Sequence, residues 1–227
     1  MKKIATIGLF LTFFAQGVQA QESVSPLKLS TQLDSASYAI GASITFDLKS
    51  RGLSALNYAA LVQAMQDVFA GKNPQISMQD GQQAIMGYFT ELKKKQDEPL
   101  ITAAASFLAE NKKKKGVVTL PSGLQYEVLT AAKGAKPKAT DSVTVHYKGT
   151  LANGKQFESS YERNQPATLS LTQVIPGWVE GLQLMSVGAK YRFYIPYQLG
   201  WGANGAGQDI PPYSVVIFEI ELLKIAQ

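Results

Sequence analysis

Aromatic and branched apolar residues recur through the last third of the chain at particular spacings, with few polar groups of a catalytic kind among them. The stretches are V-T-V-H-Y-K-G-T-L at 143–151, G-K-Q-F-E-S-S at 154–160 and V-I-P-G-W-V-E-G-L at 174–182. They continue as M-S-V-G-A-K at 185–190, G-W-G-A-N-G-A-G-Q-D-I-P-P at 200–212 and V-V-I-F-E-I-E-L-L at 215–223. Such a set can line a dry, greasy pocket, but it offers no nucleophile, metal cluster or acid/base pair. One reaction needs only such a pocket: rotation about an X-Pro peptide bond. Its barrier is about 20 kcal/mol because rotation breaks amide resonance. The twisted amide carries less charge separation than the planar one, so a dry aromatic site disfavours the planar ground state relative to the transition state. A donor aimed at the carbonyl before proline adds orientation. No covalent step, cofactor or metal is required.

The elements that must position these residues follow from periodicity. From Leu124 the period is two: Val143, Val145 and Tyr147 alternate with Thr144, His146 and Lys148, and Val216, Phe218, Ile220 and Leu222 repeat the pattern. These are half-buried antiparallel strands with polar turns such as Ala152-Asn153-Gly154. Trp178 to Met185 is apolar on one side and is expected to form one short helix across the sheet, an α+β arrangement. His146, the only histidine, alternates with Tyr147 and so faces away from any pocket that Tyr147 lines. Gly202 to Gly207 lacks the Lys-Ser/Thr and the helix of a phosphate-binding loop and is expected to be a flexible loop.

Upstream, three helical patterns appear. Tyr38, Ile40, Ile44 and Leu48 predict a first helix capped by Ser37. Leu61, Met65, Val68 and Phe69 predict a second, stopped by Gly71. Ser77-Met78-Gln79-Asp80 predicts the start of a third, carrying Ile85, Phe89 and Leu92. Pro99 removes a helical hydrogen bond and clashes with the preceding turn, so a kink or break is expected near Glu98. Leu100, Ala104, Phe107 and Leu108 then resume helical spacing to Asn111. These helices make little core alone, and their apolar stripes are expected to meet a second copy. Met65, Met78 and Met86 suit an irregular interface of that kind, and equally an ordinary helical core.

Composition narrows the class. The chain has 227 residues, 45% of them hydrophobic, and no cysteine. A chain this long can dispense with disulfides even where they are permitted. Lys2 and Lys3, the apolar run Ile4 to Phe14 and Val18-Gln19-Ala20 form the three regions of a cleavable export signal, residues 1–20. That run is too short to span a membrane, and no Cys follows Ala20 to carry a lipid. Export to the periplasm of a Gram-negative bacterium, or to its surface, is expected, with no membrane span once the signal is removed. The basic excess is concentrated at Lys112 to Lys115 as one solvated knot, which argues against nucleic-acid binding.

V-I-P-G-W, I-P-P and V-I-F-E-I-E-L-L, in this order from about Gly123 to the C-terminus, resemble the FKBP family of peptidyl-prolyl isomerases. Ser37-Tyr38-Ala39-Ile40-Gly41, Met65-Gln66-Asp67 and Gly116-Val117-Val118 through Tyr126 are similar to its two-domain bacterial branch, the macrophage infectivity potentiator-like proteins. The resemblance implies a helical dimerisation domain over 21–98, a connecting helix over 99–115 and an isomerase domain over 116–227, whose antiparallel sheet wraps one short helix. It implies Trp178 as the pocket floor under the proline ring. Tyr147, Phe157, Val174, Ile175 and Phe218 would be walls, with the Ile175 N–H as carbonyl donor and Ile210 in the flap. Glu158 and Arg163 match an acidic and a basic position tied together near Tyr147. Four positions depart from the family pattern. Glu158 stands for the usual Asp, Trp201 for a tyrosine whose hydroxyl often contacts ligand, Ala167 for an aromatic, and Asp209 for an apolar flap residue.

The sequence thus predicts a homodimeric isomerase acting on X-Pro bonds of unfolded or proline-containing exported polypeptides, with macrolides such as rapamycin as inhibitors. Its rival is a periplasmic holdase chaperone whose two arms grip clients by avidity, with the isomerase pocket secondary.

Overall fold

The computed structural model describes residues 27–226, and the expected export signal lies outside them. Two compact units divide the chain after Arg51. The first contributes helix α1 (Gln32–Ser50). Its cap is Thr31 rather than Ser37, which lies inside the helix. The Asp34 N–H donates to Thr31 Oγ1 at 3.0 Å, and the Thr31 N–H donates to Asp34 Oδ2 at 2.8 Å. This reciprocal pair satisfies two orphan amides and an acidic group at the N-terminal end, which outcompetes a lone serine one turn later. No residue of α1 is buried.

The second unit begins with helices α2 (Tyr58–Phe69) and α3 (Met78–Asn111). Ser77 caps α3 through the Asp80 N–H at 3.1 Å, as the sequence predicts. Helix α3 runs through Pro99 without interruption, so the expected break near Glu98 is absent and the 98/99 boundary falls inside one helix. The missing hydrogen bond is outweighed by docking beyond it. Ala104 is buried, the rings of Phe107 and Tyr194 lie 6.3 Å apart, and Gln125 Nε2 donates to the Leu108 carbonyl at 2.9 Å. Asn111 Nδ2 then donates to Gln125 Oε1 at 2.9 Å.

Seven strands follow in one antiparallel sheet: β1 (Val117–Thr119), β2 (Gln125–Thr130), β3 (Ser142–Leu151), β4 (Gln156–Ser159), β5 (Ala167–Ser170), β6 (Lys190–Ile195) and β7 (Val216–Ala226). Their order is β1-β2-β6-β7-β3-β4, and β5 pairs with the first half of β3. The period-two pattern does what it predicts in β7, where Val216, Phe218, Ile220 and Leu222 are buried and alternate with half-buried neighbours.

The short helix α4 (Pro176–Leu182) lies against this sheet, and two glycines let it approach. A Cβ on Gly177 would fall 2.5 Å from Ile195 Cγ2, and one on Gly181 would fall 2.6 Å from Phe193 Cε1. Gly181→Ala gains about 1 kcal/mol of helix propensity. It also drives a methyl into a locked ring, at about 1–3 kcal/mol. We therefore expect net destabilisation, read as a lower urea midpoint with an unchanged slope. A midpoint that rises would show that Phe193 can yield.

Candidate active site

The concave face of the sheet and α4 enclose a cavity of about 470 Å³. Its floor is Trp178, 4% exposed, placed by the first turn of α4. Tyr147 from β3 meets the indole edge-on, with ring centroids 5.2 Å apart at 82°. Phe218 from β7 does the same at 5.1 Å and 89°. Phe157 from β4 is edge-on to both Phe218, at 5.5 Å, and Trp201, at 5.9 Å. Edge-to-face contacts suit aromatic quadrupoles, so the rings fix one another's orientation and leave faces turned to the cavity.

Gly149 makes this cluster possible. It sits two residues beyond Tyr147 on β3, opposite Phe218 in register. A Cβ there would lie 2.7 Å from the Phe218 ring and 2.8 Å from the Phe157 ring. The strand pattern carries a faint signal of this, a glycine inside an otherwise β-branched and aromatic run.

The sequence-derived residues Tyr147, Phe157, Glu158, Val174, Ile175, Trp178, Trp201, Ile210 and Phe218 all line this cavity, together with Asp209. Leu169, Gln173 and Ala206 also line it and were not foreseen. Leu169 is the residue β5 contributes, two positions beyond Ala167. Alternation along β5 would have paired the two, but nothing in the sequence aims that strand at the pocket. Ile175 caps α4, and its N–H meets no acceptor among the described residues.

Arg163 stands at the rim and does not line the cavity. Its guanidinium pairs with Glu158 Oε1 and donates to the Tyr147 hydroxyl at 3.3 Å. The same Glu158 oxygen accepts from the Ser159 N–H at 2.9 Å. The extra methylene of Glu158 is thus taken up by folding the carboxylate back onto its own strand, so the charge sits at the rim and not deeper. The hydrogen bond to Glu158, then that to Tyr147, holds the Arg163 pKa above its ordinary value. Asp209 is paired with Lys155 at 3.0 Å, on an exposed edge.

His146 points away from the cavity. Its Nδ1 lies 3.0 Å from Ser160 Oγ and its ring stacks on Tyr161 at 4.6 Å. Burial, then the nearby Glu221 carboxylate, pushes the Tyr161 phenol up to about 12. The raised value favours the neutral phenol in the folded state. That contribution is full below the ordinary value of 10 and is lost as pH rises through 12. An absorbance titration of Tyr161→Phe should lose one late-ionising tyrosine relative to wild type, leaving those of Tyr191, Tyr194 and Tyr213, which are also raised.

An aromatic-lined cavity open to solvent on one side, with a free backbone donor and no acid/base pair among the described residues, defines a class of site that acts on a bound group by burial and orientation. The comparisons with known proteins assign it. The family model described as "FKBP-type peptidyl-prolyl cis-trans isomerase" matches residues 133–223. The one described as "Domain amino terminal to FKBP-type peptidyl-prolyl isomerase" matches residues 33–128. The FKBP-type 22 kDa peptidyl-prolyl cis-trans isomerase of Escherichia coli is 39% identical, over 84% of this chain and 94% of that protein. Outer membrane protein MIP of Legionella longbeachae is 35% identical, over 98% of this chain and 97% of that protein. The crystal structure of FkpA from Escherichia coli superposes with a TM-score of 0.58 at 33% identity, covering 87% of this chain and 98% of that one. The chain belongs to the FKBP-type peptidyl-prolyl cis-trans isomerases. Its activity is rotation of X-Pro bonds in polypeptides.

Proposed function

We propose that this isomerase works on unfolded, exported polypeptides as a homodimer, with the Trp178 cavity as its catalytic site. The observation that carries the site is the edge-to-face cluster of Tyr147, Phe157, Trp178 and Phe218 beside a cavity of about 470 Å³. A proline ring resting on Trp178 places its amide among these rings, where water is excluded. The free N–H of Ile175 takes the carbonyl before proline, holding one side of the bond while the other turns. Val174 and Ile210 confine the flanking residues, and Trp201 closes the side opposite Tyr147. Arg163 and Glu158 position the Tyr147 ring from the rim. The proton inventory is unchanged throughout; catalysis is the loss of planar-amide solvation.

Dimerisation is supported by side chains the chain itself leaves uncovered. Tyr58, Val62, Met65 and Phe69 fall on one stripe of α2 at helical spacing, and Phe69 is 93% exposed. The helices over 21–98 thus supply the interface, and 116–227 the chemistry. The leader-like residues 1–20 support a periplasmic destination or the cell surface. No helix among the described residues is long and apolar enough to cross a membrane.

The test is cis-to-trans relaxation of a short X-Pro peptide by residues 21–227, with and without rapamycin. Catalysis that the drug abolishes is expected. Catalysis untouched by saturating drug would move the chemistry away from Trp178. A folded protein without catalysis that still suppresses client aggregation would shift the role to holding.

A further inference from the structure

The wall formed by residues 200–213 is poorly held from within. Gly202, Gly205 and Gly207 all have positive φ, at 65°, 66° and 54°. Gly205 packs so tightly that a Cβ would fall 2.1 Å from the Ile210 carbonyl oxygen. One reciprocal pair closes the tip: the Ala206 N–H donates to the Ile210 carbonyl at 2.8 Å, and the Ile210 N–H to that of Ala206 at 3.1 Å. The Asp209–Lys155 pair is exposed on both sides, so solvent screens it. Yet this segment carries four cavity-lining residues, Trp201, Ala206, Asp209 and Ile210.

Its far end is anchored by an outside element. Tyr213 has φ 58°, a left-handed conformation that a bulky L-residue does not adopt unless its surroundings impose it. Three contacts impose it. The Tyr213 N–H donates to the Gly202 carbonyl at 3.1 Å, joining the two ends of the flap. Its ring meets Tyr197 edge-on at 5.1 Å. Its hydroxyl donates to Asp97 Oδ2 of helix α3 at 2.7 Å, across 116 residues of chain. Lys93, one turn before Asp97, pairs with the same oxygen at 2.9 Å and lies 6.0 Å over the Tyr213 ring. The hydrogen bond from Lys93, then that from Tyr213, keeps the Asp97 carboxyl below its ordinary value and therefore an ionised acceptor.

We propose that Asp97 and Tyr213 form a positioning latch through which helix α3 holds the flap in its pocket-forming shape. Helix α3 is then a working part of the isomerase site and not only a spacer between helices and sheet. The two residues touch no substrate; they act through Ile210 and Trp201, whose place depends on the flap's base. The proposal rests on the isomerase reading of the Trp178 cavity, and its effect is on substrate affinity more than on turnover.

The test uses the full chain carrying Tyr213→Phe, Asp97→Ala, both together, or Asp97→Asn. KM and kcat are measured on one X-Pro peptide, and amide exchange is followed at Ala206 and Ile210. Each of the first two changes should raise KM roughly three- to tenfold and leave kcat within about twofold. Exchange at the flap amides should quicken while that of β3 and β7 stays unchanged. The double variant should match the singles, because both remove one bond. Asp97→Asn keeps an accepting oxygen and should restore KM although it abolishes the Lys93 ion pair. Unchanged KM and flap exchange in Tyr213→Phe and Asp97→Ala overturn the latch. So does faster exchange throughout β3 and β7, which would make the bond a general stability contact. If the wild-type chain catalyses nothing, the isomerase reading falls, while the exchange arm still reports on the latch.

Discussion

Phe218→Ala is expected to abolish measurable X-Pro isomerisation and to lower the unfolding free energy by about 3–5 kcal/mol. Phe218 is 3% exposed on β7, flanked in register by Phe193 of β6 and Gly149 of β3. It is the hub of the aromatic cluster, with centroids 5.1 Å from Trp178, 5.5 Å from Phe157, 6.2 Å from Tyr147 and 6.3 Å from Trp201. Each edge-on pair adds about 0.5–1.5 kcal/mol beyond area burial, so truncation removes packing and orientation together. Phe218→Leu separates the two. It keeps most of the volume and should cost under about 1.5 kcal/mol. It still releases Trp178 and Phe157 from their perpendicular contacts, and misplacement of about 1 Å can cost up to a hundredfold in rate. Urea unfolding and peptide relaxation on both variants measure this. A Phe218→Leu protein with wild-type kcat/KM would show that the cluster does not shape the working site.

The second large effect is on assembly. Met65→Glu with Phe69→Glu is expected to convert the proposed dimer to monomer at micromolar concentration. The two positions share the uncovered stripe of α2, and two-fold symmetry would place four carboxylates in one apolar contact. Burying unpaired charges there costs on the order of 5 kcal/mol or more in total, which raises Kd by over about a thousandfold. Small-peptide turnover should stay within about twofold, since the Trp178 cavity lies elsewhere in the chain. Sedimentation velocity of wild type and variant reads the outcome. A wild-type monomer would remove the interface proposal, and a variant dimer would move the interface off α2.

Several features were legible because they are local or periodic. Alternation at Val143, Val145 and Tyr147 announces β3, and alternation from Val216 to Leu222 announces β7. Ser77 with Asp80 announces the start of α3, and Gly71 the end of α2. The aromatic set that lines the cavity was likewise readable, since family motifs preserve order along the chain. Even local signals fail when two compete: Thr31 with Asp34 won the cap of α1 from Ser37 because it satisfies two amides rather than one.

The sequence by itself therefore determined β3, β7 and the start of α3, because each depends on neighbours within a few residues, and the kind of pocket through the order of its motifs. Only the tertiary structure decided the rest. Pro99 stays helical because Ala104, Phe107 and Asn111 dock beyond it on the sheet. Leu169 joins the cavity because β5 pairs with β3. Gly149 is needed because two rings from other strands cross over it. Tyr213 holds a left-handed backbone where it meets Gly202, Tyr197 and, 116 residues away, Asp97. Such choices belong to surfaces that meet only when the chain closes on itself, and the energy deciding them lies in contacts that no local window contains.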